Sequence, residues 1–152
     1  MSLKDRLRDD SIAHLKAGNE LEKTTLRNIL SAIGTKEKSG KNPSELNDQD
    51  VETLLRKEVG NREETAALAA KDGRTDLAER ELAEAAFIST YLPKMLEEAE
   101  AQSIVDRIMG KLAAEHELTM KDMGQAMKLV GAEIAGRFDG KAVSQMVRAK
   151  LA

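Results

Sequence analysis

The sequence predicts an all-α protein, with an N-terminal helical bundle followed by a small three-helix C-terminal module, and three observations carry that reading. Apolar residues recur at helical spacing: Leu26, Ile29, Leu30 and Ile33 share one stripe, as do Leu77, Ala78, Leu82, Ala85, Ile88 and Leu92, and then Ile104, Val105, Ile108 and Leu112. Breakers are few, 10 Gly and 2 Pro in 152 residues, which suits long helices with few loops. Aromatic residues make up 2% of the chain against 41% hydrophobic, so the core must come from Leu, Ile, Val, Met and Ala, the materials of helix packing rather than of a β-sandwich. No segment alternates strictly with period two. Seven helices are expected, and no sheet.

The element ends have chemical reasons. Gly18 and Gly40 follow the first two helical stretches, and a glycine can take the left-handed conformation that closes a helix. Lys36, Lys38 and Lys41 suit the negative end of the second helix dipole. Gly40-Lys41-Asn42-Pro43-Ser44 is the clearest loop, and residues 36–41 are the best candidate for mobility. Asp48 is expected to cap a third helix from about Gln49 to Asp72, stopped by Gly73, and Thr75 a fourth running to about Tyr91. Glu52 and Arg56, Glu58 and Arg62, and Asp76 and Arg80 stand four apart with the acid first, an order that supports an exposed helix by about 0.3 kcal/mol per pair.

Tyr91-Leu92-Pro93 marks a domain edge, because proline disfavours helix in the residue before it. The expected domains are therefore residues 1–93, with four helices, and 94–152, with three. Glu97, Glu98 and Glu100 open the fifth helix at its favoured end. Thr119-Met120-Lys121-Asp122 resembles a capping box that introduces the sixth, and Asp139 caps the last, whose stripe is Val143, Met146, Val147 and Leu151.

Composition excludes several chemistries. With 0 Cys there is no disulfide, thiolate zinc site or cysteine nucleophile, and a reducing, cytoplasmic setting is expected. Met1-Ser2-Leu3-Lys4-Asp5-Arg6 is charged from its fourth residue and does not read as a signal peptide; no apolar run reaches membrane-spanning length. His116-Glu117 lacks the second histidine of a zinc-protease motif, since position 120 is Met, and His14 and His116 read as surface or boundary residues. Gly136-Arg137-Phe138-Asp139-Gly140-Lys141-Ala142 is not a phosphate loop: Ala135 stands where the first glycine belongs, Ala142 where the hydroxyl belongs, and no strand precedes it. No catalytic residue, metal ligand or cofactor is identified.

Charge singles out the C-terminal end. The chain carries net charge −3, yet from Leu118 onward Lys121, Lys128, Arg137, Lys141, Arg148 and Lys150 meet only Asp122, Glu133 and Asp139. These six cations are the candidate nucleic-acid contacts. The start of the last helix, with Arg137 and Lys141 beside it, reads either as a phosphate site or as a solvated connection in which Asp139 occupies the positive end. Apart from Phe138 no aromatic is placed for base stacking, so recognition would be of backbone rather than sequence. Met109, Met120, Met123, Met127 and Met146 concentrate in the same region, either as filling for a small core or as an adaptable partner groove.

Five strings in order complete the reading: Lys57-Glu58-Val59-Gly60-Asn61-Arg62-Glu63-Glu64, Gly73-Arg74-Thr75-Asp76-Leu77-Ala78-Glu79, Tyr91-Leu92-Pro93, Lys121-Asp122-Met123-Gly124 and Gly136-Arg137-Phe138-Asp139-Gly140-Lys141. As a set they resemble the GatB/YqeY family, in the form of a stand-alone YqeY-like chain. The resemblance implies an all-α bundle with a small helical tail. In the GatB subunit of tRNA-dependent amidotransferases the similar region is a tail on the catalytic part that helps engage tRNA, while the complex amidates mischarged Glu-tRNA or Asp-tRNA with ammonia from glutamine. A carbon–nitrogen ligase label therefore accompanies the family. This chain lacks the ATP-dependent kinase portion and any glutaminase nucleophile motif. The resemblance thus implies a non-catalytic module that engages tRNA or an aminoacyl-tRNA-modifying enzyme; the alternative is a protein-interaction adaptor using a Met-rich or bundle groove.

Overall fold

A computed structural model describes residues 1–40 and 43–151. These described residues form seven α-helices: α1 (Leu3–Ala17), α2 (Glu20–Lys38), α3 (Asp48–Lys71), α4 (Thr75–Ser89), α5 (Glu98–Glu115), α6 (Met123–Ile134) and α7 (Gly140–Ala149), with a 3-10 turn at Met120–Asp122. No strand occurs among the described residues. The chain forms two compact units, Met1–Pro93 and Lys94–Ala152. Among the described residues no helix is long and apolar enough to cross a membrane.

In the first unit, local chemistry sets the helix ends and tertiary contacts shift some of them. Ser2 Oγ accepts the Asp5 N–H at 3.1 Å, opening α1, and Gly18 closes it at φ 75°. α2 stops at Lys38 with extended Ser39 as its cap, before Gly40 is reached. Residues 36–38 thus close a helix rather than belong to a loop; of the expected loop, Lys41 and Asn42 lie outside the described residues.

Asn47, not Asp48, caps α3. Its Oδ1 accepts the Asp50 N–H at 2.8 Å and Asp50 returns the bond, while Asp48 accepts the Leu3 N–H at 2.9 Å and ties the two helix starts together. Thr75 is already inside α4, and Arg74 takes the cap position without a side-chain bond. The turn is too short for the expected cap: Asp72 closes α3, Gly73 sits at φ 77°, and the Arg74 N–H reaches back to the Ala69 carbonyl at 2.8 Å. α4 ends at Ser89, before Tyr91.

The core of this unit gathers Leu7 from α1, Leu26, Ile29 and Ile33 from α2, Val51 and Leu55 from α3, and Ile88 with Tyr91 at the end of α4. Ala66, Ala69 and Ala78 form a separate cluster between α3 and α4, where side chains of one methyl let two helices approach closely. Polar groups bridge the helices. Lys4 Nζ lies 2.7 Å from the Glu37 carboxylate, which also accepts the Leu46 N–H at 3.0 Å; these bonds, Lys4 first, hold Glu37 below the usual carboxylate range. Tyr91 donates its hydroxyl to Asp10 at 2.6 Å beneath the Arg6 guanidinium, and burial followed by the Asp10 bond pushes the phenol upward.

The second unit packs α5, α6 and α7 around Val105, Met109, Leu112, Ala126, Val130, Ile134, Val143 and Val147. Met123, Met127, Met146 and Phe138 lean on that core, so most of the methionine cluster fills it. Glu97 and Glu100 form the capping box of α5, and Thr119 with Asp122 that of the 3-10 turn. After α6, Ala135 at φ 50° and Gly136 at φ 76° turn the chain sharply toward α7.

Truncating Leu55→Ala removes a fully buried side chain of the first core and is expected to cost about 2–5 kcal/mol, read as a fall in the unfolding midpoint. Ala135→Gly relieves a methyl side chain in the left-handed region and should stabilise the chain by about 1 kcal/mol in the same measurement.

Acid should loosen the second unit. Its pairs hold Asp122 (Thr119 N–H, then His116), Asp106 (Lys150, then Gln102) and Glu133 (Arg107) below their ordinary values. A carboxylate lowered by folding contributes stability above its unfolded pKa and loses it as pH falls through the folded one. The loss therefore sets in below about pH 4. Amide protection factors in residues 94–151, taken against unfolded-chain rates at the same pH, should fall there, and Asp122→Asn should flatten the dependence.

Candidate nucleic-acid interface

α7 sorts its residues by face. Val143 and Val147 are buried, while Lys141, Gln145 and Arg148 fall on the opposite side at 100° per residue; Lys141 and Arg148 are exposed. Seven residues separate the two cations, on the order of 10 Å along the axis. On α6 the exposed Lys128 stands opposite the buried Val130, and Lys121 is exposed in the 3-10 turn. None of these four has an ion-pair partner among the described residues.

The other two candidates are engaged within the unit. Lys150 Nζ lies 3.0 Å from Asp106 on α5. Arg137 Nε donates to the Lys94 carbonyl at 3.0 Å while its own carbonyl accepts the Leu96 N–H at 2.8 Å, so this residue clasps the start of the unit to the α6–α7 turn. Asp139 Oδ2 accepts the Ala142 N–H at 3.0 Å. The positive end of α7 therefore carries its own carboxylate, and the geometry favours the solvated connection over a bare phosphate site.

The histidines have partners of ordinary structural kind. His14 bonds Asn19 at 3.0 Å and meets the Phe87 ring edge-on at 5.6 Å; His116 Nε2 is 2.9 Å from Asp122. Among the described residues no group of three His, Asp or Glu side chains is arranged to hold a metal ion.

A second polar site lies in the first unit, where the spacing suggested only exposed helix pairs. Arg62 bonds Glu58 at 2.6 Å, as an i,i+4 pair should, but its side chain is only 11% exposed. Its Nε stands 3.8 Å from Glu84 Oε2 on α4, and Glu84 accepts the Thr25 hydroxyl at 3.3 Å, so α2, α3 and α4 meet at buried charge. The signal was present: Arg62 repeats at helical spacing with Leu55, Ala66 and Ala69, all of which face inward. Of the other two pairs, Glu52 and Arg56 come within 3.8 Å, whereas Asp76 and Arg80 form no ion pair among the described residues.

The family model for Yqey-like protein matches residues 4–151. A curated relative, altered inheritance of mitochondria protein 41, mitochondrial, of Lachancea thermotolerans, is 31% identical over 153 residues, covering 93% of this chain and 79% of that protein.

Removing the two kinds of cation should separate structure from binding. Arg137→Ala breaks the clasp and is expected to lower stability by about 1 kcal/mol. Lys141→Ala should leave it within roughly 0.5 kcal/mol. Chemical denaturation of the full chain measures both.

Proposed function

Because the chain belongs to the Yqey-like protein family, we propose that it is a non-catalytic module that engages tRNA, alone or beside an enzyme that modifies aminoacyl-tRNA. The observation that carries this reading is the outward stripe of Lys141 and Arg148 on α7, with Lys128 and Lys121 exposed in the same unit. Exposed cations of this kind contact phosphate oxygens and carry no sequence information, so affinity rests on counterion release. Residues 94–152 hold nine Lys or Arg against nine Asp or Glu, which makes the interaction weak and dependent on local charge. The amidotransferase chemistry associated with GatB is left to a partner enzyme; ammonia-dependent amidation of charged tRNA by the purified chain would overturn that assignment. We assign the chain to the cytoplasm on its cysteine-free composition, although the related Lachancea thermotolerans protein is named as mitochondrial. Recovery in an organelle on cell fractionation would revise this.

Titration with unmodified tRNA tests the reading. Four phosphate contacts give a slope of log affinity against log salt of roughly −3 to −4. The double charge reversal Lys141→Glu and Arg148→Glu should weaken binding at least about tenfold and shrink the slope by about 2. Absence of binding in dilute salt sinks the proposal. Nuclease-resistant recovery of one defined protein from cells would then favour the adaptor, a reading supported by Leu68 and Leu82, 66% and 52% exposed on the acidic first unit.

A further inference from the structure

A cleft of about 370 Å³ opens between α2, α3 and α4 of the first unit, within the size range of small-molecule sites. Its walls carry charge of both signs: Arg62 and Arg80, Glu81 and Glu84, with the amide side chains of Asn28 and Asn61 among them. The buried pair Arg62 and Glu84, part of its lining, is incompletely satisfied. Glu84 has a side chain only 9% exposed, yet among the described residues its one side-chain hydrogen bond is the long contact with Thr25. Its distance from Arg62 Nε, 3.8 Å, is an ion-pair separation but too long for a hydrogen bond; the guanidinium is bonded to Glu58 at its other end, and Nε is buried without a hydrogen-bond partner among the described residues. Arg80 and Glu81 form no ion pair among the described residues.

We propose that this cleft binds a small zwitterion of the amino-acid class. Glu84 and Glu81 offer acceptors for an ammonium group, and Arg80 offers donors for a carboxylate. Asn28 and Asn61 can each donate and accept, which suits the remaining polar atoms of such a ligand. The mixture of signs narrows the class. Two guanidinium groups oppose a metal ion or polyamine, and two carboxylates oppose phosphate or a dicarboxylate. A ligand with one charge of each sign satisfies both without leaving either side unpaired. None of these residues belongs to the α7 stripe, so the site stands independently of tRNA binding.

The test uses the full chain, isotope-labelled, with the side-chain amide signals of Asn28 and Asn61 followed by NMR. The probes are L-serine, L-asparagine, L-lysine and L-glutamate, with propylamine and propionate as ligands bearing a single charge. At least one amino acid should move both signals saturably, and the two single-charge probes should bind at least about tenfold more weakly. Arg80→Ala and Glu81→Gln should each weaken the amino acid by about tenfold. Glu84 is left unaltered, because removing one partner of a buried charge pair costs folding stability. The proposal is overturned if none of the four amino acids moves the signals, if propylamine or propionate binds as tightly, or if the two variants bind unchanged.

Discussion

The architecture depends on making two cores almost without aromatic side chains. Three aromatic residues, Phe87, Tyr91 and Phe138, serve the whole chain, and the rest of the apolar interior is Leu, Ile, Val, Met and Ala. Short aliphatic groups fill space only when helices lie close together, so each helix must begin and end where its neighbours require. The few aromatics are placed accordingly. Phe87 meets both His14 and Tyr91 edge-on at the first core, and Phe138 leans on the second. Beside the short turn that joins α3 to α4, alanine lines the contact between the two helices.

Interdigitated aliphatic side chains constrain how these helices approach, and buried polar contacts add to the specification of register. Lys4 with Glu37 joins α1 to α2, Arg62 with Glu84 joins α3 to α4, and Asp10 with Tyr91 joins α1 to the segment after α4. A buried ion pair is weak evidence for stability, since desolvation offsets much of the attraction, but breaking it is expensive. These contacts therefore penalise wrong registers more than they stabilise the right one. The Arg62 and Glu84 contact adds a second property: it leaves polar atoms incompletely satisfied beside an open cleft. An interior built only for stability would fill or pair them.

The second unit treats its cations in two ways. Arg137 and Lys150 close the unit upon itself, one on a backbone carbonyl and one on Asp106, while Lys121, Lys128, Lys141 and Arg148 remain in solvent. Net charge does not distinguish these roles. What does is whether a complementary group lies within reach, and that is decided by the packing of α5, α6 and α7. The tRNA reading consequently rests on four side chains rather than six, and on α7 more than on the loop before it.

The sequence alone determined the features that depend on neighbours a few residues away. Helical stripes appear because the 3.6-residue period writes itself into the apolar spacing, and caps such as Asp139 and the Thr119 box because a short polar side chain reaches only the next turn. Even so, one side chain could satisfy either of two partners. Asn47 rather than Asp48 caps α3 because Leu3, 45 residues away, claims the Asp48 carboxylate. The same holds for charge: spacing paired Arg62 with Glu58, yet could not reveal Glu84, nor that Lys150 meets Asp106 while Arg148 stays exposed. Only the tertiary structure settles such pairings, because they require two helices to approach within a few ångströms at one register, and distance through space has no local signature along the chain.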